Sequence, residues 1–167
     1  GRVSVQAEGK GDVVLQAVLR YNLPRAREAT QSIFDISVEY DTDRVEVDDL
    51  ITLKVEVGFN PPEPMEAGMV VLDIAVPTGF APVTGSIEAV LEDEAKVKRF
   101  DVAGRKVIFY IEDMGPGESL AFQFQARALY PVQARGVASQ AYSYYRPEWR
   151  GETLGVPVTV AEQGKGN

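Results

Sequence analysis

The sequence predicts an all-β protein: an antiparallel β-sandwich with one short helix inserted between its strands. Three observations carry this. Apolar residues alternate at a period of two in about seven separate stretches, the spacing expected of a two-sheet sandwich. Turn signals rich in glycine, proline and aspartate separate those stretches. A helical period appears at Ile87, Val90 and Leu91, between two strand patterns.

Taken in order, the chain opens with Val3 and Val5 and then Val13 to Leu19, two strand patterns around a Gly9-Lys10-Gly11-Asp12 hairpin turn. Tyr21-Asn22-Leu23-Pro24 ends the second pattern, and Arg25-Ala26-Arg27-Glu28 is a polar joint. We place a boundary here. Residues 1–28 read as the closing strands of a preceding domain or an N-terminal extension, 29–161 as the main domain and 162–167 as a polar tail. The main domain starts with Phe34, Ile36, Val38 and Tyr40 alternating with polar residues, and Asp41-Thr42-Asp43 follows as a turn. Ile51, Leu53, Val55, Val57 and Phe59 form the next alternating strand. Asn60-Pro61-Pro62-Glu63-Pro64 has to be an exposed connection, because proline donates nothing to a ladder.

The Gly68 stretch reads as a central strand: Val70, Leu72, Ile74 and Val76 line one face, while Asp73 keeps the other from being wholly apolar. Pro77-Thr78-Gly79 then turns the chain. The helix is expected from about Ser86 to Glu94, with Ser86 as N-cap and Glu88 in the first turn. Glu92, Asp93 and Glu94 sit at the unfavourable end of the helix dipole, and Lys96, Lys98 and Arg99 are expected to compensate them. Val107 to Ile111, Leu120 to Ala128, Val137 to Tyr145, and Val156 to Val160 complete the strands.

Composition excludes several classes. With 167 residues the chain buries roughly two-thirds of its unfolded surface, enough for a core without staples. A net charge of −8 and an isoelectric point near 4.6 repel phosphate backbones, so nucleic acid is not an expected partner. No apolar run reaches the ~20 residues of a membrane-spanning helix. The absence of both cysteine and histidine removes disulfides, thiol and Ser-His-Asp chemistry, and histidine-based metal sites.

Four clusters remain. Asp41, Asp43, Glu46, Asp48 and Asp49 lack the spacing of a calcium loop and read as solvated turns rather than a weak cation site. Glu92-Asp93-Glu94 and Glu112-Asp113 offer carboxylate pairs, but Trp149 is the only tryptophan, so no aromatic row for sugars accompanies them. Tyr142 to Trp149 reads first as a late strand, with Tyr142 and Tyr144 on one side, and second as a recognition patch. Lys96, Lys98 and Arg99 form a short basic run, read first as neutralising nearby acids and second as a docking point for an acidic partner.

Gly68-Met69-Val70-Val71-Leu72-Asp73-Ile74-Ala75-Val76-Pro77-Thr78-Gly79-Phe80 resembles the opening signature of the alpha-2-macroglobulin receptor-binding domain. Gly104-Arg105-Lys106-Val107-Ile108-Phe109-Tyr110-Ile111, Leu120 to Phe124, and Tyr142-Ser143-Tyr144-Tyr145-Arg146-Pro147-Glu148 match further features in the same order. Upstream, Val3-Ser4-Val5 to Tyr21-Asn22 resembles the last strands of the CUB domain that precedes it in the family. The resemblance implies a macroglobulin or immunoglobulin-like sandwich and a non-catalytic module without a cofactor. It also implies a place in a larger protease-trapping or thioester protein, outside the cytoplasm: extracellular, periplasmic or at the cell surface. Partners would be other domains of that protein and a protein receptor, in the vertebrate inhibitors a clearance receptor of the lipoprotein-receptor class with acidic repeats. In vertebrate members two helix lysines contact the receptor, and those positions fall on Thr84 and Glu88 here. Neither is basic, which leaves Lys96, Lys98 and Arg99 as the nearby cations. A structural or adhesion sandwich module is the alternative reading, and a carboxylate enzyme ranks below both.

Overall fold

Alternation is strictest between Leu50 and Phe59, where every second side chain is buried, and these residues form one of the two longest strands of one sheet. The computed structural model describes residues 32–162. The hairpin expected within 1–28 and residues 163–167 of the tail lie outside the described residues. Among the described residues the strands are β1 (Phe34–Tyr40), β2 (Arg44–Glu46), β3 (Leu50–Phe59), β4 (Val70–Ala75), β5 (Phe80–Pro82), β6 (Val97–Ala103) and β7 (Lys106–Ile111). They continue as β8 (Ser119–Ala128), β9 (Val132–Ala134), β10 (Ala138–Ser143), β11 (Arg150–Leu154) and β12 (Val158–Ala161). One helix, α1 (Thr84–Asp93), stands between β5 and β6.

Two sheets face each other, one in the order β1-β3-β8-β5 and the other β11-β10-β4-β7-β6. A small third sheet joins β2, β12 and β9. The two large sheets are antiparallel throughout, as the sandwich expectation requires. Phe109 of β7 meets Phe122 and Phe124 of β8 with ring centroids 4.7 and 5.6 Å away, so the aromatic contact joins the two sheets. At one end Phe34 packs on Phe59 at 5.0 Å, and Phe59 on Trp149 at 6.3 Å.

The Gly68 stretch is the central strand that the pattern predicts: β4 lies third of five. Val70, Leu72 and Ile74 are fully buried toward the other sheet. Val71, on the outward face, is also buried, flanked across the ladder by Tyr110 and Tyr142. Asp73 breaks that face, as expected, and bonds Lys106 at 2.5 Å.

Five strands escape the periodicity, each for a physical reason. β2, β5 and β9 span three residues each, too short for alternation to register. β6 is an edge strand, and its exposed Lys98, Arg99 and Asp101 hide the pattern. β11 contains Gly151, where an added Cβ would stand 1.9 Å from the Phe34 carbonyl oxygen of β1. Only glycine permits that approach between strands of opposite sheets.

The helix starts earlier than Ser86. Val83 is its N-cap, without a side-chain cap, and Glu88 falls beyond the first turn. The Ser86 hydroxyl instead donates to the Val83 carbonyl at 2.7 Å and accepts from the Gln125 backbone N–H at 2.9 Å. It ties the helix to β8 rather than capping it. Ile87 and Val90 are buried, so the expected apolar stripe anchors α1 to the sandwich.

Candidate protein-interaction surface

Thr84 and Glu88 lie one turn apart on the exposed side of α1, and Glu92 continues the same line. Asp93 is exposed beside them. The last turn holds no basic residue, so these carboxylates sit uncompensated at the negative end of the helix dipole. This corrects the expectation that Lys96, Lys98 and Arg99 would neutralise residues 92–94.

Each of those three cations is engaged elsewhere. The Lys96 ammonium donates to Glu118 Oε1 and, at 3.1 Å, to the Asp113 carbonyl. That ammonium, followed by the Gly115 backbone N–H, holds the Glu118 carboxyl below its usual range. Lys98 pairs with Glu112 at 2.9 Å across the β6–β7 ladder. The Arg99 guanidinium donates to Asp101 at 2.7 Å and lies 4.3 Å from the Tyr110 ring centroid. Bonds to the Tyr110 hydroxyl and then to Asp101 raise its pKa further. The charges of the run are therefore locally balanced, while Lys98 and Arg99 stay more than half exposed.

The structure brings together two stretches that lie far apart in sequence. β10 ends at Ser143, two residues before the expected end; Tyr144 keeps one backbone bond, its N–H to the Met69 carbonyl at 2.8 Å, and lies with Tyr145 past the strand's end. The two residues are 54% and 69% exposed, and their rings meet edge-on at 5.3 Å. Tyr145 also covers Gly68, where an added Cβ would stand 3.2 Å from its ring. Between these tyrosines and the β6–β7 ladder runs a groove of about 620 Å³, lined by Met69, Lys98, Arg99, Tyr110, Glu112, Tyr144 and others. The aromatic concentration was visible in the sequence, and the exposure of Tyr144 and Tyr145 agrees with its second reading, a surface patch, rather than with a strand running on to Tyr145. Tyr142 stays in the ladder, where burial and then the Asp73 charge push its phenol up.

One further cluster resolves as turn structure. Asp41 Oδ1 accepts the Thr52 N–H at 2.9 Å, and Asp49 Oδ2 accepts the Glu46 N–H at 2.8 Å. Asp48 takes a positive φ of 73° in the turn between them. The acids of 41–49 serve separate loops, and among the described residues no group of three converges as metal ligands. Among the same residues no helix is long and apolar enough to cross a membrane.

Residues 65–154 match the model of the A-macroglobulin receptor binding domain. The mouse alpha-2-macroglobulin-like protein 1 is 32% identical over 152 residues, covering 87% of this chain and 10% of that protein. Trypsin-activated alpha-2-macroglobulin from Escherichia coli superposes with a TM-score of 0.64 at 12% identity, over 77% of this chain and 10% of that one. Salmonella alpha-2-macroglobulin reacted with methylamine gives 0.61 at 15% identity, over 77% and 9%. These two likenesses establish the sandwich fold. The chain spans about a tenth of the length of the relatives that it matches. The match over 65–154 and the identity to the mouse protein establish the rest: this chain belongs to the A-macroglobulin receptor binding domain family.

Proposed function

We propose that residues 29–161 form a non-catalytic partner-recognition module of a larger alpha-2-macroglobulin-like protein. That protein works outside the cytoplasm, in the extracellular space, the periplasm or at the cell surface. The observation that carries this reading is the groove between the Tyr144–Tyr145 pair and the β6–β7 ladder. Two exposed tyrosines just past the end of β10 offer amphipathic contact area at low cost in side-chain entropy. Lys98 and Arg99 shape the opposite wall, and their pairing leaves that wall close to neutral. Such a surface suits another folded protein surface. Relatives about ten times longer support other domains of the parent as the first partners.

An external receptor is the second reading, and it would meet α1. Glu88 and Glu92, in line with the neutral Thr84, give that face negative charge, so it favours a cationic or neutral partner and repels an acidic module. Lys96 does not offset this, because Glu118 holds it.

The groove is tested by titrating the chain against the parent polypeptide lacking these residues. The Tyr144→Ala/Tyr145→Ala variant is expected to bind at least about tenfold more weakly, as for central aromatic contacts. Both side chains are exposed, so its circular dichroism and melting curve should match the unmodified chain. Equal affinity in the two proteins removes the groove from the interface.

A further inference from the structure

The five-stranded sheet ends on β6, and among the described residues no strand pairs with its far side. The other terminal strands of the two large sheets are protected. β1 lies against β11, where Gly151 meets the Phe34 carbonyl, and β5 spans three residues before α1 begins. β6 is longer, with Asp101, Val102 and Ala103 all exposed. Its register slips between Val97 and Arg99, so Lys98 is the extra residue and Arg99 to Ala103 runs regularly along β7.

Arg99 and Asp101 occupy the same outward face, two residues apart and 63% and 49% exposed. Charges on an edge strand ordinarily repel a second strand. Here their order selects one. In an antiparallel pair, residues directly opposite share a face, so a second β6 can dock in a few registers only. Centring on Arg99 sets arginine against arginine, and centring on Asp101 sets aspartate against aspartate. Centring on Phe100 sets each Arg99 opposite the Asp101 of the other copy, twice. It also places the two half-buried Phe100 rings side by side on the inner face.

We propose that β6 is a self-complementary edge that pairs antiparallel with β6 of a second copy of this chain, in the Phe100-centred register. The two five-stranded sheets then run on as one sheet through a two-fold axis, an isologous contact. The contact is small, so association is weak and belongs to high local concentration.

Sedimentation equilibrium of the 167-residue chain from about 10 μM to about 1 mM tests it. The unmodified chain is expected to dimerise reversibly across that range. Arg99→Asp alone and Asp101→Arg alone turn both opposite-charge contacts into like-charge ones, and each should weaken the dimer by roughly tenfold or more. Mixing the two variants restores opposite charges at both contacts, so the mixture should associate as the unmodified chain does, as should the Arg99→Asp/Asp101→Arg double variant. A chain that stays monomeric to 1 mM overturns the proposal. So does a dimer indifferent to both single variants, or a mixture that fails to associate while each variant melts like the unmodified chain.

Discussion

Replacing Gly79 with alanine loads the turn that carries the chain from the five-stranded sheet to the four-stranded one. Pro77, Thr78, Gly79 and Phe80 form that turn, closed by the Phe80 N–H donating to the Pro77 carbonyl at 3.2 Å. Gly79 is its third residue, with φ of 89°, the position where a type II turn demands glycine. An alanine there bears two separate costs. A positive φ costs an L-residue about 1–2 kcal/mol. The added Cβ would also stand 2.4 Å from Cγ1 of Val132, and overpacking of this kind costs about 1–3 kcal/mol. Together they predict a loss of roughly 2–5 kcal/mol for Gly79→Ala in urea unfolding. Val132→Ala removes the obstructing methyls and by itself costs about 1–2 kcal/mol. The double variant should therefore lose less than the sum of the two, by about 1–3 kcal/mol, while the φ cost stays. Additivity within about 0.5 kcal/mol, or a Gly79→Ala loss below about 1 kcal/mol, refutes the proposed crowding at this turn.

Two other perturbations probe the scaffold. Ile87→Ala empties a fully buried site under α1 and should cost about 2–5 kcal/mol in chemical denaturation, with loss of helical signal before global unfolding. Burial pushes the Tyr40 phenol from 10.0 up to about 12. A raised folded pKa stabilises fully below pH 10, and that contribution fades as pH climbs through 12. The shift bounds the effect at about 3 kcal/mol, and partial exposure lowers the expectation to about 1–2 kcal/mol. Stability of the unmodified chain should thus fall more steeply from pH 10 to 12 than that of Tyr40→Phe, measured by urea unfolding at each pH.

Much of the scaffold was legible because it depends on local pattern. Alternation marks β3, β4, β7 and β8, each with a buried face that one period describes. The Pro-Thr-Gly turn was legible for a similar reason, since its backbone requirement names the residue. The helix was found through Ile87 and Val90, but its start was misplaced, because Ser86 spends its hydroxyl on β8 in place of a cap. The surface was less legible. Lys96 finds Glu118, which is distant in sequence, and no rule of spacing predicts that choice over Glu94. Exposure of Tyr144 and Tyr145 likewise depends on where β10 ends, which the tyrosine spacing alone does not reveal.

The negative charge on α1 can be tested by binding. Acidic repeats of a lipoprotein-class receptor, the partner that the family resemblance implies, immobilised for surface-plasmon titration, should show no saturable binding of the unmodified chain at micromolar concentration. Thr84→Lys/Glu88→Lys replaces the exposed pair with two cations one turn apart and should produce saturable, salt-sensitive binding. Nanomolar binding by the unmodified chain would show that the acidic face of α1 does not repel such a partner.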